Sequence, residues 1–178
     1  MRTHNCNSLR KEHIGQSATL IGWVNTKRDH HGVIFIDIRD REGVTQAVFR
    51  SEESSEAAQI SHTLRQEDVV QVSGTVGARP EIEGQSTVNP NIETGEIELI
   101  ATELKIINRS EVLPFQLDKE LSNEDIRLRH RYLDLRRPRM TRNLKIRHRV
   151  AKACRDYLDE SGYLEIETPM LSKSTPEG

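Results

Sequence analysis

Val33-Ile34-Phe35-Ile36-Asp37-Ile38-Arg39 alternates with a period of two. Ile34, Ile36 and Ile38 fall on one face, and Val33, Phe35, Asp37 and Arg39 on the other, the signature of a half-buried β-strand. Upstream, Ala18, Leu20, Gly22 and Val24 share one face of a second strand, with Thr19, Ile21, Trp23 and Asn25 opposite. The polar run Lys27 to Gly32 reads as the turn between them. Downstream, Asp40-Arg41-Glu42-Gly43 is a turn and Val44 to Phe49 a third strand. Ser51 to Leu64 reads as a weakly amphipathic helix that Ser54 or Ser55 can cap. Asp68 to Val76 is a fourth strand, Arg79 to Gly95 a long turn rich in Pro, Gly and Asn, and Glu96 to Asn108 a fifth strand. A short helix over Asn7 to Glu12, closed off by Gly15, precedes them all.

Three strands, a helix and two further strands is the order of an OB-fold, a five-stranded Greek-key barrel with a helix between strands three and four. A generic α+β sheet fits the same order less well. Residues 1–108 therefore read as a mainly β barrel domain. Residues 109–138 read as a linker with a short helix over Asn123 to Tyr132 and an interruption at Pro138. Residues 139–178 open a further domain. Arg139 to Glu160 is a long amphipathic helix that Gly162 stops, and Tyr163 to Glu167 alternates like a strand that Pro169 ends. This helix–strand pair cannot bury its apolar face alone, so the reading expects a domain left unfinished at Gly178.

The formal net charge is −2, so overall charge does not announce a polyanion partner. Its distribution is uneven: Glu81 to Glu124 holds ten acids and three basic residues, whereas Ile126 to Arg155 holds twelve Lys or Arg and one acid, Asp134. Such asymmetry accompanies polyanion binding, and equally a solvated helix face. Two distant cysteines, Cys6 and Cys154, suggest neither a disulfide framework nor a zinc site. No apolar run approaches a membrane span and no secretory leader stands at the start, so the reading is a cytoplasmic protein with no membrane partner. Walker-type phosphate loop, nucleophile elbow and His-Glu-x-x-His patterns are missing from the sequence.

Phe35 carries the most information. An aromatic on the polar face of such a strand is a stacking platform for an unpaired base, or else it packs beneath a loop or the helix. Arg28 and Lys27, beside His30 and His31, place cations where a phosphate or base edge can meet them. Gln46, out of phase with Ala47 and Phe49, offers a paired donor and acceptor. Glu98 is in phase with Ile100 and Leu104, which turns it inward unless a bulge intervenes.

These residues resemble a known family. Gly22-Trp23-Val24, Arg28-Asp29-His30 and Val33 through Gly43 are similar to the N-terminal anticodon-binding domain of bacterial aspartyl-tRNA synthetases, as are Asn89-Pro90-Asn91 and Thr94 through Glu98. Arg131 through Pro138 resembles the family's hinge, and Gly162 through Pro169 its class II motif 1. The resemblance implies a fragment of an aspartate–tRNA ligase that grips the anticodon of tRNA(Asp). Phe35 would stack on a base; Arg28, Gln46 and Glu98 would contact bases or backbone, helped by Arg79 and Asn89. It turns Glu98 outward, against the phase argument. His30 resembles the branch that also accepts tRNA(Asn). Pro169 would mark the motif 1 homodimer interface, and Glu177 the acid that binds L-aspartate. ATP and Mg²⁺ would serve the complete enzyme. Motifs 2 and 3 would lie beyond Gly178, so this stretch is expected to bind tRNA without catalysis and to need no cofactor. Thr26-Lys27, His31 and Gly77 depart from the family pattern in the gripping region. The rival reading is a free-standing OB-fold binder of single strands without enzyme activity.

Overall fold

The computed structural model describes residues 1–82, 84–117, 119 and 123–171. They fall into two compact units, Met1–Leu113 and Pro114–Gly178.

The first unit is a closed barrel. Its strands are β1 (Ser17–His30), β2 (Val33–Arg39), β3 (Val44–Phe49), β4 (Val69–Ala78) and β7 (Ile97–Asn108). They close in the order β1-β2-β3-β7-β4, and every pair is antiparallel except β3 with β7. Helix α1 (Ser55–His62) lies between β3 and β4 in the chain. Ser54 caps it, its side chain accepting from Ala57 N, so of the two candidate caps the extended serine one residue earlier is used. A two-rung hairpin, β5 (Glu81–Ile82) with β6 (Gln85–Ser86), stands in the β4–β7 connection. The OB-type barrel read from the strand order is the observed architecture, and the generic α+β sheet is not.

The interior follows the alternation. Ile34, Ile36 and Ile38 are fully or almost fully buried and join Leu20, Val24, Val70, Val72 and Leu99 in one core. Each such side chain contributes about 1.5–3 kcal/mol relative to exposure.

Three local expectations change. The segment Lys27 to His30 is strand rather than turn: β1 runs on to His30, and only His31 and Gly32 bridge to β2. Both have left-handed φ, +53° and +88°, as a tight two-residue hairpin requires. Polar side chains disguised an arm whose backbone pairs fully. The helix expected over Asn7 to Glu12 is a single 3₁₀ turn, Lys11–His13, because so short a segment cannot repay helix nucleation. The long turn after β4 holds the β5–β6 hairpin, too short for periodicity to register.

Among the described residues, three register shifts interrupt the barrel's pairing; one, from Val69↔Asn108 to Val70↔Ile106, lies at the end of β7, and the other two set the outer face. In β1 the pairing steps from Val24↔Ile38 to Thr26↔Asp37, leaving Asn25 as the extra residue. Between β4 and β7 it steps from Ser73↔Glu103 to Gly74↔Ala101, leaving Thr102 extra. A bulge moves every later side chain to the opposite face of the alternation counted from before it.

The buried carboxylate of Asp68 ties the end of the barrel together. It accepts from Arg65 N, Ser110 N and Arg109 Nη1 at 2.9, 2.7 and 2.9 Å. Burial alone would raise its pKa, but the two backbone N–H groups and the Arg109 guanidinium outweigh burial and hold it below the usual carboxylate range. A depressed folded pKa gives stability that is present above the unfolded value near 3.9 and is lost as pH falls through the folded one. Asp68→Asn is therefore expected to cost about 1 kcal/mol at pH 7. The gap in urea midpoint between it and the parent should shrink below about pH 4. A gap that stays constant down to pH 2.5 would contradict this account.

The second unit contains α2 (Glu124–Arg129), α3 (Arg131–Asp134) and α4 (Pro138–Glu160). The single helix read over Asn123 to Tyr132 is thus two short ones, broken at His130. Pro138 is the first residue of α4 rather than a break, a position where its missing N–H costs nothing. Gly162, at φ +83°, ends the helix as expected, with Tyr163 N donating to Leu158 O. Asp134 is fully buried, and Arg127, Arg131 and Arg137 donate to it at 3.1, 2.6 and 3.3 Å. Residues 163–167 belong to no strand, since a strand needs a ladder partner and none of the described residues supplies one. Pro169 is exposed. Glu177 lies outside the described residues.

The free thiols are Cys6, buried in the first unit, and Cys154, exposed in the second. Burial, and then Asp40 beside it, pushes the Cys6 thiol up to about 12, so it stays a protonated core group. Among the described residues no helix is long and apolar enough to cross a membrane.

Candidate nucleic-acid interface

A hollow of about 580 Å³ opens on the outer face of β2 and β3. Phe35, Arg28, Gln46, Glu98 and Arg79 all line it. Strand geometry explains the convergence. Phe35 and Gln46 lie on the outward phase of β2 and β3, where Asp37 pairs with Gln46 and Phe35 with Val48. Arg28 would point inward if β1 alternated without interruption. The bulge at Asn25 reverses the phase, so that Arg28 sits directly opposite Phe35 and Thr26 opposite Asp37.

Glu98 is the same story on β7. Ile97, Leu99 and Ala101 face the core before the bulge, and Leu104 faces it after. Glu98 is therefore not in phase with Leu104, as counting by twos suggested. It faces the hollow, and the bulge at Thr102 is the physical reason.

The polar groups are connected. Arg28 Nη2 donates to Asp37 Oδ1 at 3.0 Å and to Gln46 Oε1 at 3.1 Å. Gln46 Nε2 donates to Glu98 Oε2 at 3.1 Å, and Arg50 Nη2 to Glu98 Oε1 at 3.3 Å. A donor, Arg28, on one side of the Gln46 amide and an acceptor, Glu98, on the other fix which end is oxygen. One N–H and one lone pair of that amide are not used by these two bonds, in a residue that is 4% exposed. The Glu98 side chain is only 3% exposed and the Arg28 side chain 48%. The floor is thus a buried carboxylate, and the rim a half-exposed cation.

Phe35 is half-buried, and the His30 ring meets it edge-on with centroids 5.8 Å apart. This leaves an aromatic surface in a hollow rather than a ring sealed under the helix. Arg79 Nε donates to Ile97 O and Nη1 to Thr87 O, at 3.3 and 3.2 Å. It ties the foot of the β5–β6 hairpin to β7 while facing the hollow. Burial lowers its pKa first, and Glu98 and Asp37 partly restore it. Asn89 is not among the lining residues. Its Oδ1 caps Asn91 N and its backbone N–H donates to Gly95 O, so it shapes the long loop. Arg50, Pro80, Ile82 and Thr87 line the hollow without having been singled out. Arg50 was legible, for it continues the outward phase of Gln46 and Val48.

Residues 18–107 match the family model described as OB-fold nucleic acid binding domain. The chain belongs to that family. Residues 123–178 of this OB-fold chain match the model of tRNA synthetases class II (D, K and N). The chain is 52% identical over 177 residues to the Aspartate–tRNA(Asp/Asn) ligase of Magnetococcus marinus, covering 99% of this chain and 28% of that protein. It is 52% identical over 178 residues to the enzyme of the same name from Desulfotalea psychrophila, covering 99% and 29%. This OB-fold chain thus spans under a third of the length of the curated relatives it matches. Among solved structures, asparaginyl-tRNA synthetase from Pyrococcus horikoshii superposes with a TM-score of 0.80 at 26% identity, over 95% of this chain and 38% of that one. An aspartyl tRNA synthetase from Entamoeba histolytica, at 20% identity and a TM-score of 0.81 over 93% of this chain and 39% of that one, supports the fold alone. The resemblance to aspartyl-tRNA synthetases drawn from the motifs is shown across both segments of the chain.

Proposed function

We propose that this chain is the anticodon-reading part of an aspartate–tRNA ligase, and that the hollow on β2 and β3 takes unpaired bases of the tRNA(Asp) anticodon loop. The observation that carries this reading is the convergence of an available aromatic, Phe35, with a rim cation, an oriented amide and a carboxylate. Stacking supplies affinity for any base. Arg28 meets phosphate or a base edge, Gln46 offers both a donor and an acceptor, and Glu98 accepts from base amino or imino groups. Unpaired loop bases expose those edges, which a duplex would hide. Asn89 supports the loop behind the hairpin, and Arg79 holds the hairpin against β7.

His30, whose ring meets Phe35 edge-on, would influence which loops fit. The relatives' printed names join Asp and Asn, which supports acceptance of tRNA(Asn) as well. In the complete protein the reaction would join L-aspartate to tRNA at the expense of ATP with Mg²⁺, in the cytoplasm, in a homodimer that Pro169 and α4 help to form, with Glu177 binding aspartate. Among the described residues no cluster of His, Cys, Asp and Glu is placed to hold a metal ion, so Mg²⁺ is assigned to none of them.

Fluorescence anisotropy with an Asp anticodon stem–loop, an unrelated stem–loop of equal length and an unstructured oligonucleotide tests the reading. The Asp loop is expected to bind at least about tenfold more tightly, the discrimination that one or two base-edge contacts supply. Equal binding of all three would make the chain a general single-strand binder instead.

A further inference from the structure

The placement of Arg28 depends on a bulge, and the bulge has its own support. Asn25, the extra residue, accepts at its Oδ1 from Arg39 Nη1 at 2.7 Å. Arg39 Nη2 bonds the carboxylate of Glu67, whose side chain is 2% exposed. The Arg39 guanidinium also lies over the Trp23 ring, 5.8 Å from its centroid, and Trp23 is its cross-strand partner. On the other side of the kink, Glu67 N donates to Val24 O and Val24 N to Asp68 O, at 2.8 and 2.9 Å. Glu67 keeps these contacts at φ +67°, a left-handed conformation that a residue other than glycine rarely adopts and that persists only where its surroundings impose it.

A planar guanidinium fork joins two acceptors at a fixed angle. One acceptor here is the extra residue of the bulge, and the other is anchored in the barrel wall. We propose that Arg39, Asn25 and Glu67 form a positioning brace that fixes the bend of β1 and thereby aims Arg28 across the hollow toward Asp37 and Gln46. This rests on the anticodon-loop reading for its consequence in binding, but the geometry of Arg28 can be tested without RNA.

The test uses the full chain and four variants: Asn25→Ala, which removes the acceptor; Asn25→Asp, which keeps an oxygen for Arg39; Arg28→Ala; and Asn25→Ala with Arg28→Ala. Urea midpoints check folding. In the RNA-free protein, the Arg28 Nε–Hε resonance is expected to move toward that of a free arginine in Asn25→Ala and to stay in place in Asn25→Asp. Affinity for the Asp anticodon stem–loop should fall about 3- to 10-fold in Asn25→Ala, the scale of one misplaced hydrogen-bonding group. It should stay within about twofold of the parent in Asn25→Asp, the size of a near-neutral substitution. In the Arg28→Ala background the Asn25→Ala change should cost almost nothing further, because the brace acts through Arg28.

An unmoved Arg28 resonance overturns the proposal. So does an affinity that holds while the resonance shifts, or a loss that is just as large in the Arg28→Ala background. If Asn25→Ala does not fold, failure of Asn25→Asp to keep the parental resonance overturns it as well. A parent chain that ignores the stem–loop would sink the anticodon reading instead, and the resonance shift would then decide the brace by itself.

Discussion

Gly74→Ala is expected to lower the barrel's melting temperature by roughly 10–20 °C. A Cβ at this position would stand 2.0 Å from Ile100 O, 2.8 Å from Ile100 C and 2.9 Å from Ala101 Cα. All three atoms are backbone, so no side chain can swing away. Gly74 lies opposite Ala101 at the bulge that leaves Thr102 unpaired, and relief would require β4 and β7 to separate where the barrel turns Glu98 outward. Overpacking costs about 1–3 kcal/mol where neighbours adjust, and the upper end of that range applies to a rigid backbone. Gly77→Ala is the control. Its Cβ would meet chiefly the end of the Ile100 side chain, at 2.9 Å from Cδ1, and a small rotation accommodates that for less than about 1 kcal/mol. Circular dichroism melts of the two variants decide the matter. Equal melting temperatures would show that β7 is not held against β4 at Gly74 as described.

Phe35→Ala is expected to weaken binding of the Asp anticodon stem–loop by about 5- to 150-fold, corresponding to the 1–3 kcal/mol of one stacked base. Phe35 is half-buried on the outer face, while the core beneath it is built from Ile34, Ile36 and Ile38 on the other phase of the same strand. The loss should therefore appear in affinity far more than in the urea midpoint. Phe35→Tyr or Phe35→Trp, which keep a π-face, should remain within about threefold of the parent, since stacking is tolerant of ring type. Anisotropy titrations at one fixed salt concentration measure the series. If alanine and tyrosine bind alike, Phe35 is not a stacking platform.

The sequence was most readable where one rule acted alone. β2 alternates without interruption, so its inward isoleucines and outward Phe35 could be assigned by counting, and the order of strands and helix then indicated the barrel. Reading failed where tertiary structure inserts an extra residue. Asn25 and Thr102 carry no local mark of a bulge, yet each reverses the phase of everything after it. That is why Glu98 was counted inward from Leu104, and why only the family resemblance turned it outward. The polar arm Lys27 to His30 looked like a loop because its partners are backbone groups, which composition does not reveal. Asn89 was carried over by resemblance alone, and its side chain serves a turn instead. Arg50 continues the phase of Gln46, but it lies just past Phe49, where the apolar residues that mark the strand end.

The division of each strand between its two faces has a consequence for how this protein can change. Along β2 and β3, the side chains that seal the interior and those that line the hollow occupy alternate positions of one continuous backbone. Selection can therefore rewrite positions 28 and 35 with little penalty in folding, and the barrel can acquire a new preference without first acquiring a new scaffold. That freedom has a boundary at the two kinks. A one-residue insertion or deletion between Asn25 and Arg28, or between Glu98 and Thr102, would exchange the vocabularies of the two faces, placing charge inside and hydrocarbon outside. Drift in specificity should thus proceed by substitution on the outer face, while the lengths of these segments stay fixed.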